Sequence, residues 1–306
     1  MALQVYDKIN TIYKRYAFDG KKCPNKKWLS FRNKIILGDF SNKEAEYLFN
    51  CPWEAYSKID GTNSKIAFYP STEEIKVGGK TDRAESQHGQ FEMLQEIAER
   101  IKPTLIELFP KESARFVPCK DESNKVKYWE VDPEDKFLGM NPIQPTHEGI
   151  YEVALEEVPI YIYGEYFGEG IMKCGRRYIE HGNKFVVFDI NQQGWWVPKN
   201  VRDELCQKLG LETVPFLGTM TLKEIEDKVR NGFATQFPDA SDPTLIEEGI
   251  VARPIIPLHD ERKNRILVKV KYCDYIEYDS ARKEFSNEEF DEFNKWYYDN
   301  IENIQP

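Results

Sequence analysis

The feature that most constrains this chain is a short glycine turn between two strand-like runs. The turn spans Lys58 to Asn63 with the sequence Lys-Ile-Asp-Gly-Thr-Asn, so that one residue separates an amine from a carboxylate. A lysine amine is almost fully protonated at neutral pH and becomes a nucleophile only beside groups that depress its pKa or accept its proton. A chain of this size contains Lys-x-Asp-Gly by chance roughly one time in ten. The alternative is a surface hairpin with a solvated lysine, and the residues downstream decide between the two.

Composition places the chain among ordinary globular proteins. Its 306 residues are 41% hydrophobic and 31% charged, which suits one large domain or two modest ones. The first residues lack the features of a signal peptide, and no apolar run is long enough to span a bilayer. We therefore expect a cytoplasmic protein, in the host cytoplasm if it is viral, with no membrane partner. The cysteines lack disulfide or zinc-ligand spacing and are expected to be reduced and mostly buried: Cys23, Cys51, Cys119, Cys174, Cys206 and Cys273.

The charge distribution favours local rather than bulk electrostatic binding. The net charge of −10 argues against a protein that binds nucleic acid through overall positive charge. Basic residues are nevertheless clustered at 21–27, 173–184 and 262–271, where a solvated face is the alternative for each cluster. In the third cluster Lys269 and Lys271 alternate with apolar residues, so a strand there would carry both amines on one face.

Apolar periodicity predicts an α+β fold rather than repeated βαβ units. A helix is predicted to end where Pro103 interrupts it, and another is predicted to bury Val201, Leu205 and Leu209 ahead of Gly210. Strands are predicted at residues 64–69, 160–167, 184–190, 249–253 and 265–272.

Two capping boxes and one polar stretch suggest how the chain is divided. Thr221 with Glu224 and Ser286 with Glu289 have capping-box spacing. The second box begins a C-terminal helix with a core-facing stripe of Phe290, Phe293, Tyr297 and Ile301. Polar residues and prolines predict an insertion over the main sheet at about 111–157. We predict an N-terminal part (1–50) packed on a central domain (51–275), and a tail (276–306) of irregular chain plus one helix.

Three further positions match what a lysine needs in order to react with a nucleotide. That chemistry requires a carboxylate for the ribose, a ring for the base, a carboxylate for a metal and cations for the phosphates. Glu165 follows Gly164 in a strand, although an exposed strand carboxylate is an equal alternative. Phe185 opens an apolar strand and is by default a core residue. Glu248 precedes a glycine and is by default a turn residue.

In this order the segments resemble the covalent nucleotidyltransferase superfamily of polynucleotide ligases and RNA capping enzymes, specifically its RNA ligase 2-like phage and bacterial branch. The resemblance covers about residues 6–272. It implies a nucleotidyltransferase (adenylyltransferase) domain built on antiparallel β-sheets with flanking helices, and the short chain after the last motif implies no C-terminal OB-fold. The matching segments are Lys58 to Gly61 (motif I), Tyr163 to Glu165 (III), Phe185 to Ile190 (IIIa), Glu248 to Val251 (IV) and Leu267 to Lys271 (V).

The resemblance also implies a role for each residue around the nucleotide. Lys58 would form the lysyl-AMP, Ile59 would contact the nucleotide, Glu165 would bind the ribose hydroxyls and Phe185 would stack on adenine. Glu248 would hold Mg²⁺ or Mn²⁺. The cations that would face the ATP phosphates are Arg253, Lys269 and Lys271. Lysines beside the nucleophile favour its free amine, whereas a neighbouring carboxylate favours the ammonium.

Three positions near motif I bear on the branch. Asn63 matches the asparagine that RNA ligases of this branch use at the 5′ phosphate, where DNA ligases and capping enzymes usually carry arginine. Asp60 stands where the nearest ligases have histidine, which affects the assignment of its step. Lys80 occupies an arginine position in Gly-Lys-Thr-Asp, and lysine cannot form the bidentate phosphate contact of arginine. Either Lys80 or Arg83 could fill that role, with Lys80 favoured by alignment.

The function implied is an ATP-dependent RNA ligase that repairs RNA. It would join 5′-phosphate and 3′-hydroxyl ends through a lysyl-AMP and an RNA-adenylate, as a monomer with RNA as its partner. One alternative is a noncatalytic end-binding protein that kept the nucleotide pocket, and another is an adenylyltransferase or ligase acting on DNA ends. The use of GTP, the physiological RNA and the preference for nicks or single strands stay open.

Overall fold

The fold comes from a computed structural model, which describes residues 5–81, 86, 89–110, 159–192 and 194–304, and the backbone alone of 113–120, 126–131 and 151–154. The strands, numbered in chain order, are β1 (Asn10–Thr11), β2 (Tyr13–Arg15), β3 (Ile35–Phe40), β4 (Pro52–Lys58), β5 (Thr62–Tyr69), β6 (Glu74–Gly79), β7 (Ser113–Lys120), β8 (Val126–Val131), β9 (Tyr151–Ala154), β10 (Ile160–Gly168), β11 (Asn183–Gln192), β12 (Trp195–Trp196), β13 (Phe216–Thr221), β14 (Gly249–Pro254) and β15 (Val268–Lys271). The helices are α1 (Lys43–Tyr47), α2 (Gln90–Leu108), α3 (Gly175–Tyr178), α4 (Lys199–Leu209), α5 (Leu222–Asn231), α6 (Tyr272–Arg282), α7 (Asn287–Ile304) and a 3₁₀ helix (Lys26–Phe31). None of the helices in the described residues has the length and apolar character needed to cross a membrane.

The strands confirm the predicted α+β class with antiparallel sheets. Each of the five predicted strands is present, four of them with edges within two residues of the prediction. The fifth, β15, is shorter than the predicted 265–272. The backbone of Arg265 forms an isolated β-bridge with His259 instead of pairing within the sheet, and Tyr272 already begins α6. Local apolar alternation therefore located the strands, while the contacts at their ends set the limits.

The chain divides into two compact units. One contains Gln4–Thr62, Glu165–Val186 and Thr213–Pro306, and the other contains Asn63–Gly164 and Val187–Glu212. Strands β5, β10 and β11 each run across a boundary between these segments. The predicted sequential segments 1–50, 51–275 and 276–306 follow a different division and stay a prediction.

The first unit contains a sheet with the strand order β1-β15-β14-β4-β13. The β1–β15 pair is parallel and the other pairs are antiparallel. Alternation sends Ala55, Ile250, Val268 and Val270, all buried, into a core beneath the sheet, where α5 packs against β14 and β15. The opposite face consequently carries the intervening residues of β4, β14 and β15, which include Lys58, Arg253, Lys269 and Lys271 of the predicted site.

The same core joins the two ends of the chain. Phe31 stacks on Phe293 of α7 with ring centroids 4.8 Å apart, and Tyr16 packs against both Phe293 and Tyr297. The predicted aromatic stripe of the C-terminal helix is therefore confirmed as core. Both predicted capping boxes are also confirmed by reciprocal hydrogen bonds. The prediction of irregular chain ahead of this helix was wrong, because α6 occupies residues 272–282 and packs against β15.

The second unit contains most of a sheet with the order β12-β11-β10-β5-β6. Strands β5 and β6 are antiparallel with Ser64 opposite Gly79. In α4 Leu209 is buried as predicted, but Arg202 and Cys206 are buried in place of Val201 and Leu205, which are half-buried. Arg202 can be buried because its guanidinium binds Asp203 and the carbonyl of Phe188. The helix ends at Gly210, as predicted, and this glycine adopts the left-handed conformation.

Two further expectations concern the insertion and the cysteines. Strands β7, β8 and β9 form an antiparallel sheet with the order β8-β7-β9, within the range of the predicted insertion. The rest of 111–157 lies outside the described residues. Of the cysteines whose side chains are described, only Cys206 is buried, and Cys51 and Cys273 are exposed. The expectation of mostly buried thiols was wrong, because Cys51 lies in the bend before β4 and Cys273 lies in the first turn of α6.

The prediction that Pro103 interrupts a helix was also wrong, because α2 continues through it to Leu108. The apolar face formed by Leu94, Ala98, Ile101 and Leu105 is fully buried on both sides of Pro103. Pro103 itself is exposed, so its ring does not disturb that face. Burial of the stripe outweighs the missing backbone donor and the steric cost of an interior proline.

Replacement of Pro103 by alanine is expected to stabilise the protein by about 1–3 kcal/mol, because alanine restores a backbone donor within α2. The free energy of unfolding in urea measures the effect. Pro257→Ala, in an exposed loop, is the control and is expected to show no gain. An equal or lower stability for Pro103→Ala would contradict the prediction.

Candidate active site

The predicted turn is present at the junction of β4 and β5. Lys58 is the last residue of β4, and β5 begins at Thr62. Only a glycine fits at position 61, because β10 lies too close to the turn to leave room for a side chain. A Cβ at this position would lie 2.6 Å from the Tyr166 carbonyl oxygen and 2.8 Å from Cγ of Glu165. The glycine thus lets the lysine turn pack directly against the strand that carries Glu165.

Glu248 links two lysines from β4 and β15, the two strands that flank β14. Gly249 is paired with Lys58 of β4 on one side and with Lys271 of β15 on the other. This register places the Glu248 carboxylate between the two amines. Nζ of Lys58 lies 2.5 Å from Oε2, and Nζ of Lys271 lies 2.6 Å from Oε1. The three side chains are only 15–27% exposed, so solvent screens this triad weakly.

The electrostatics of the cluster couple its acids and bases. Burial raises the pKa of Asp60, and Glu248 raises it further, whereas Lys58 and Lys271 lower it. Burial alone would lower the pKa of Lys271, but the hydrogen bond and charge of Glu248 outweigh it and the pKa is raised. These mutual effects bring Lys58, Asp60, Glu248 and Lys271 into one interacting group.

Glu165 is the most perturbed acid of the group. Burial raises the pKa of Glu165 to about 8, with Lys58 opposing the rise and the carboxylates of Glu248 and Asp60 adding to it. The N–H of Gly61 donates a hydrogen bond to this side chain. At neutral pH Glu165 is therefore mainly a neutral acid that can both donate and accept hydrogen bonds. Such a group suits ligand hydroxyls.

This shift predicts a pH-dependent loss of stability. The pKa of Glu165 rises on folding from 4.5 to about 8, so its contribution to stability is complete below 4.5 and is lost as the pH rises through about 8. Between pH 5 and 8 the wild type is expected to lose at least about 1 kcal/mol relative to Glu165→Gln. Urea unfolding at both pH values measures the difference. Glu204→Gln is the control, since its pKa is lowered by Lys208 and the difference should stay constant.

Arg253 lies on the same sheet face but is held by protein groups. Its Nε donates to Oε2 of Glu54 at 2.8 Å and its Nη2 donates to the Tyr56 hydroxyl at 2.9 Å. The guanidinium lies 4.9 Å from the centroid of the Tyr56 ring. Lys269 shares this face because Val251 pairs with Lys269 on one side and with Tyr56 on the other. A phosphate at Arg253 would thus share it with Glu54 or displace Glu54.

The remaining predicted positions are more dispersed. Ile59 and Phe185 are buried in the same unit as Lys58. Asn63 and Lys80 belong to the other unit, where Lys80 is exposed after β6 and Oδ1 of Asn63 is buried without a hydrogen-bond partner in the described structure. Arg83 lies outside the described residues.

Sequence reasoning missed four residues around the lysine turn. Glu54 and Tyr56 hold Arg253, and Tyr178 with Glu247 lies against the backbone of the turn. Strand alternation from Lys58 places Tyr56 and Glu54 on the site face, so the pattern could have identified that pair. No local pattern identifies Tyr178, which comes from the short helix α3.

The described residues contain no group of three or more His, Cys, Asp or Glu side chains that could hold a metal ion. The donors at the site are the carboxylates of Asp60 and Glu248, of which Glu248 bridges two lysines. Mg²⁺ is usually held by one or two carboxylates together with substrate phosphates and water. The donor set therefore fits an ion that arrives with a nucleotide.

The site combines a lysine–carboxylate–lysine cluster on an antiparallel sheet with Glu165, a half-buried acid, and this set of donors and charges is able to bind a phosphate ester. The family model for RNA ligase matches residues 52–271, from the start of β4 to the end of β15. This range is most of the chain and includes every element of the cluster. The chain therefore belongs to the RNA ligase family.

Similar solved structures include several of Naegleria gruberi RNA ligase, each with a TM-score of 0.45. A lysine-to-alanine mutant with ATP and Mn is 16% identical, over 78% of this chain and 54% of that one. A lysine-to-methionine mutant with AMP and Mn is 15% identical, over 78% and 55%. A structure with PPi is 16% identical, over 78% and 55%. The chain thus spans about half the length of these proteins, and no curated protein matches it.

Proposed function

We propose that this protein is an ATP-dependent RNA ligase of the RNA ligase 2-like branch, and that it acts in three displacements at phosphorus. Nζ of Lys58 attacks the α-phosphorus of ATP, a P–N bond forms and pyrophosphate leaves. A 5′-phosphate of RNA then attacks the lysyl-AMP, which forms RNA-adenylate and releases the amine. Finally a 3′-hydroxyl attacks the adenylated phosphate and AMP leaves. Positioning and charge neutralisation supply most of the acceleration in such reactions.

The observation that carries this proposal is the bridge from Lys58 through Glu248 to Lys271. It holds the nucleophile beside a second cation that can neutralise the leaving pyrophosphate. Lys269 and Arg253 would add positive charge along the same sheet face. Glu165, a neutral acid at pH 7, would bind the ribose hydroxyls.

Further roles follow from the family resemblance. Phe185 would stack on adenine and Ile59 would contact the nucleotide. Asn63 has a buried oxygen without a protein partner in the described structure, and this oxygen would accept a hydrogen bond at the later steps. Lys80, or Arg83, would bind a substrate phosphate. The expected setting is a monomer in the cytoplasm that repairs broken or nicked RNA, as in phage and bacterial systems.

Glu248, with Asp60 beside it, would hold Mg²⁺ or Mn²⁺. When bound, such an ion polarises the phosphate oxygens and stabilises the charge that develops at the transferred phosphorus. Each Glu248 oxygen accepts from one lysine and has a further lone pair with which it could contact the ion.

Intact-protein mass after incubation with ATP and magnesium tests this proposal. We expect a gain of one AMP, located on Lys58 by peptide mapping, and its discharge when a 5′-phosphorylated RNA nick is added. Protein treated first with pyrophosphate provides the control against material purified already adenylylated. A protein that gains no AMP after this treatment would favour the end-binding alternative. Discharge by a nicked DNA duplex but not by RNA would favour the DNA alternative.

A further inference from the structure

A buried hydrogen-bonded chain contacts the backbone of the lysine turn. The N–H of Asp60 donates a hydrogen bond to the hydroxyl oxygen of Tyr178. That hydroxyl in turn donates a hydrogen bond to Oε2 of Glu247, with 3.5 Å between the two oxygens. Tyr178 and Glu247 are each only 1% exposed. The chain therefore runs from the peptide bond two residues after Lys58 into the interior of the same unit.

Tyr178 and Glu247 are each fixed by their surroundings. The Tyr178 ring packs edge-on against Phe167, with ring centroids 5.5 Å apart, and the Tyr178 carbonyl accepts a hydrogen bond from Ser241 at 3.0 Å. The backbone N–H of Glu247 donates to the carbonyl of Phe233 at 2.9 Å. The hydroxyl of Tyr178 consequently has little freedom to follow the turn if the turn moves.

Glu247 is a costly residue for a merely structural purpose. Its carboxyl group faces the hydroxyls of Ser57 and Thr235 as well as that of Tyr178, and its second oxygen, Oε1, has no partner within hydrogen-bonding distance in the described structure. A buried acid with an unsatisfied oxygen destabilises a fold relative to an apolar side chain of similar size. Costly local features of this kind are commonest at functional sites.

We propose that Tyr178 and Glu247 are positioning residues for the nucleophile: Glu247 orients the Tyr178 hydroxyl, which holds the Asp60 N–H and thereby fixes the direction in which Lys58 leaves the sheet. The inference rests on the proposed function. The next amide, the Gly61 N–H, binds Glu165 of β10, so two consecutive amides are held by two different elements. Small displacements of a reacting group slow such reactions strongly, because the aligned geometry is lost.

The test compares Tyr178→Phe with Tyr16→Phe. Tyr16 is equally buried and its hydroxyl donates to Asn294 at 2.6 Å, far along the sequence from the lysine turn. Each variant therefore loses one buried tyrosine hydroxyl. We expect Tyr178→Phe to slow AMP-adduct formation at saturating ATP about tenfold while the half-saturating ATP concentration changes less than about twofold. Tyr16→Phe should keep the wild-type rate.

Glu247 is tested by a pair of variants. Glu247→Gln keeps an oxygen that can accept the Tyr178 proton, and it should retain most of the rate. Glu247→Met has a similar volume and no such acceptor, and it should slow adduct formation as Tyr178→Phe does. The double variant Tyr178→Phe/Glu247→Met should form the adduct no more slowly than either single variant, because both changes break the same series of hydrogen bonds.

A second readout does not need ATP. Residue-resolved amide hydrogen exchange should be about tenfold faster at Asp60 in Tyr178→Phe and unchanged there in Tyr16→Phe. Unchanged exchange at Asp60 in Tyr178→Phe, or an adduct rate equal to that of Tyr16→Phe, would overturn the inference alone. If Tyr178→Phe does not fold, the comparison of Glu247→Met with Glu247→Gln decides by the same measurements. No adduct in the wild type would instead defeat the proposed function and this inference with it.

Discussion

Lys58→Arg is expected to abolish the AMP adduct while the fold is kept. Arginine retains a positive charge that can pair with Glu248, so the triad with Lys271 need not collapse. Its guanidinium stays protonated at any usable pH and has no free electron pair with which to attack phosphorus. We expect the rate of adduct formation to fall by at least about a thousandfold. Intact-protein mass at intervals after addition of ATP and magnesium measures it.

The design separates the nucleophile from the charge. Lys58→Ala should lose the adduct as completely, but it also leaves Glu248 with a single lysine and should lower the urea midpoint. Lys14→Arg, at an exposed lysine paired with Asp39, is the control and should form the adduct at the wild-type rate. An AMP adduct in Lys58→Arg at a rate near that of the wild type would place the nucleophile on another residue.

Local patterns in the sequence were sufficient for much of the fold. Alternation located β5, β10, β11 and β14 because each is buried by packing on a sheet, and capping boxes located the starts of α5 and α7. The failures occurred where tertiary contacts outweighed a local preference. Pro103 remains within α2 because the apolar stripe continues beneath it. Arg202 is buried because Asp203 and a backbone carbonyl satisfy its guanidinium.

In the predicted site, too, some contacts follow from the sequence and others depend on the tertiary structure. The motif order placed Lys58, Glu248 and Lys271 together, although 190 positions separate the first two. Their contact depends on the pairing of β4, β14 and β15, which the motif pattern carries only through the family resemblance. Tyr178 was missed because its role depends on a hydrogen bond to a peptide N–H, and a side-chain pattern contains no signal for such a bond.

Glu248→Gln is expected to combine a large loss of activity with a measurable loss of stability. The glutamine carbonyl can accept a hydrogen bond from one lysine, but its amide group would turn a donor toward the other ammonium. Removing the central charge leaves two partly buried cations without their counter-charge, at a cost of about 1–3 kcal/mol. It also removes the carboxylate proposed to hold the metal, so adduct formation should fall at least about a hundredfold.

The matched control is Glu289→Gln, which also breaks a lysine–glutamate pair. Glu289 and Lys27 are 46% and 42% exposed, and such surface pairs contribute only about 0–1 kcal/mol. This variant should therefore keep the adduct rate and lose little stability. A double-mutant cycle of Glu248→Gln with Lys271→Met should show strong coupling, because the double variant lacks the Lys271 ammonium that Glu248→Gln alone leaves without its counter-charge. Additive effects, or a wild-type adduct rate in Glu248→Gln, would mean that the bridge does not position the nucleophile.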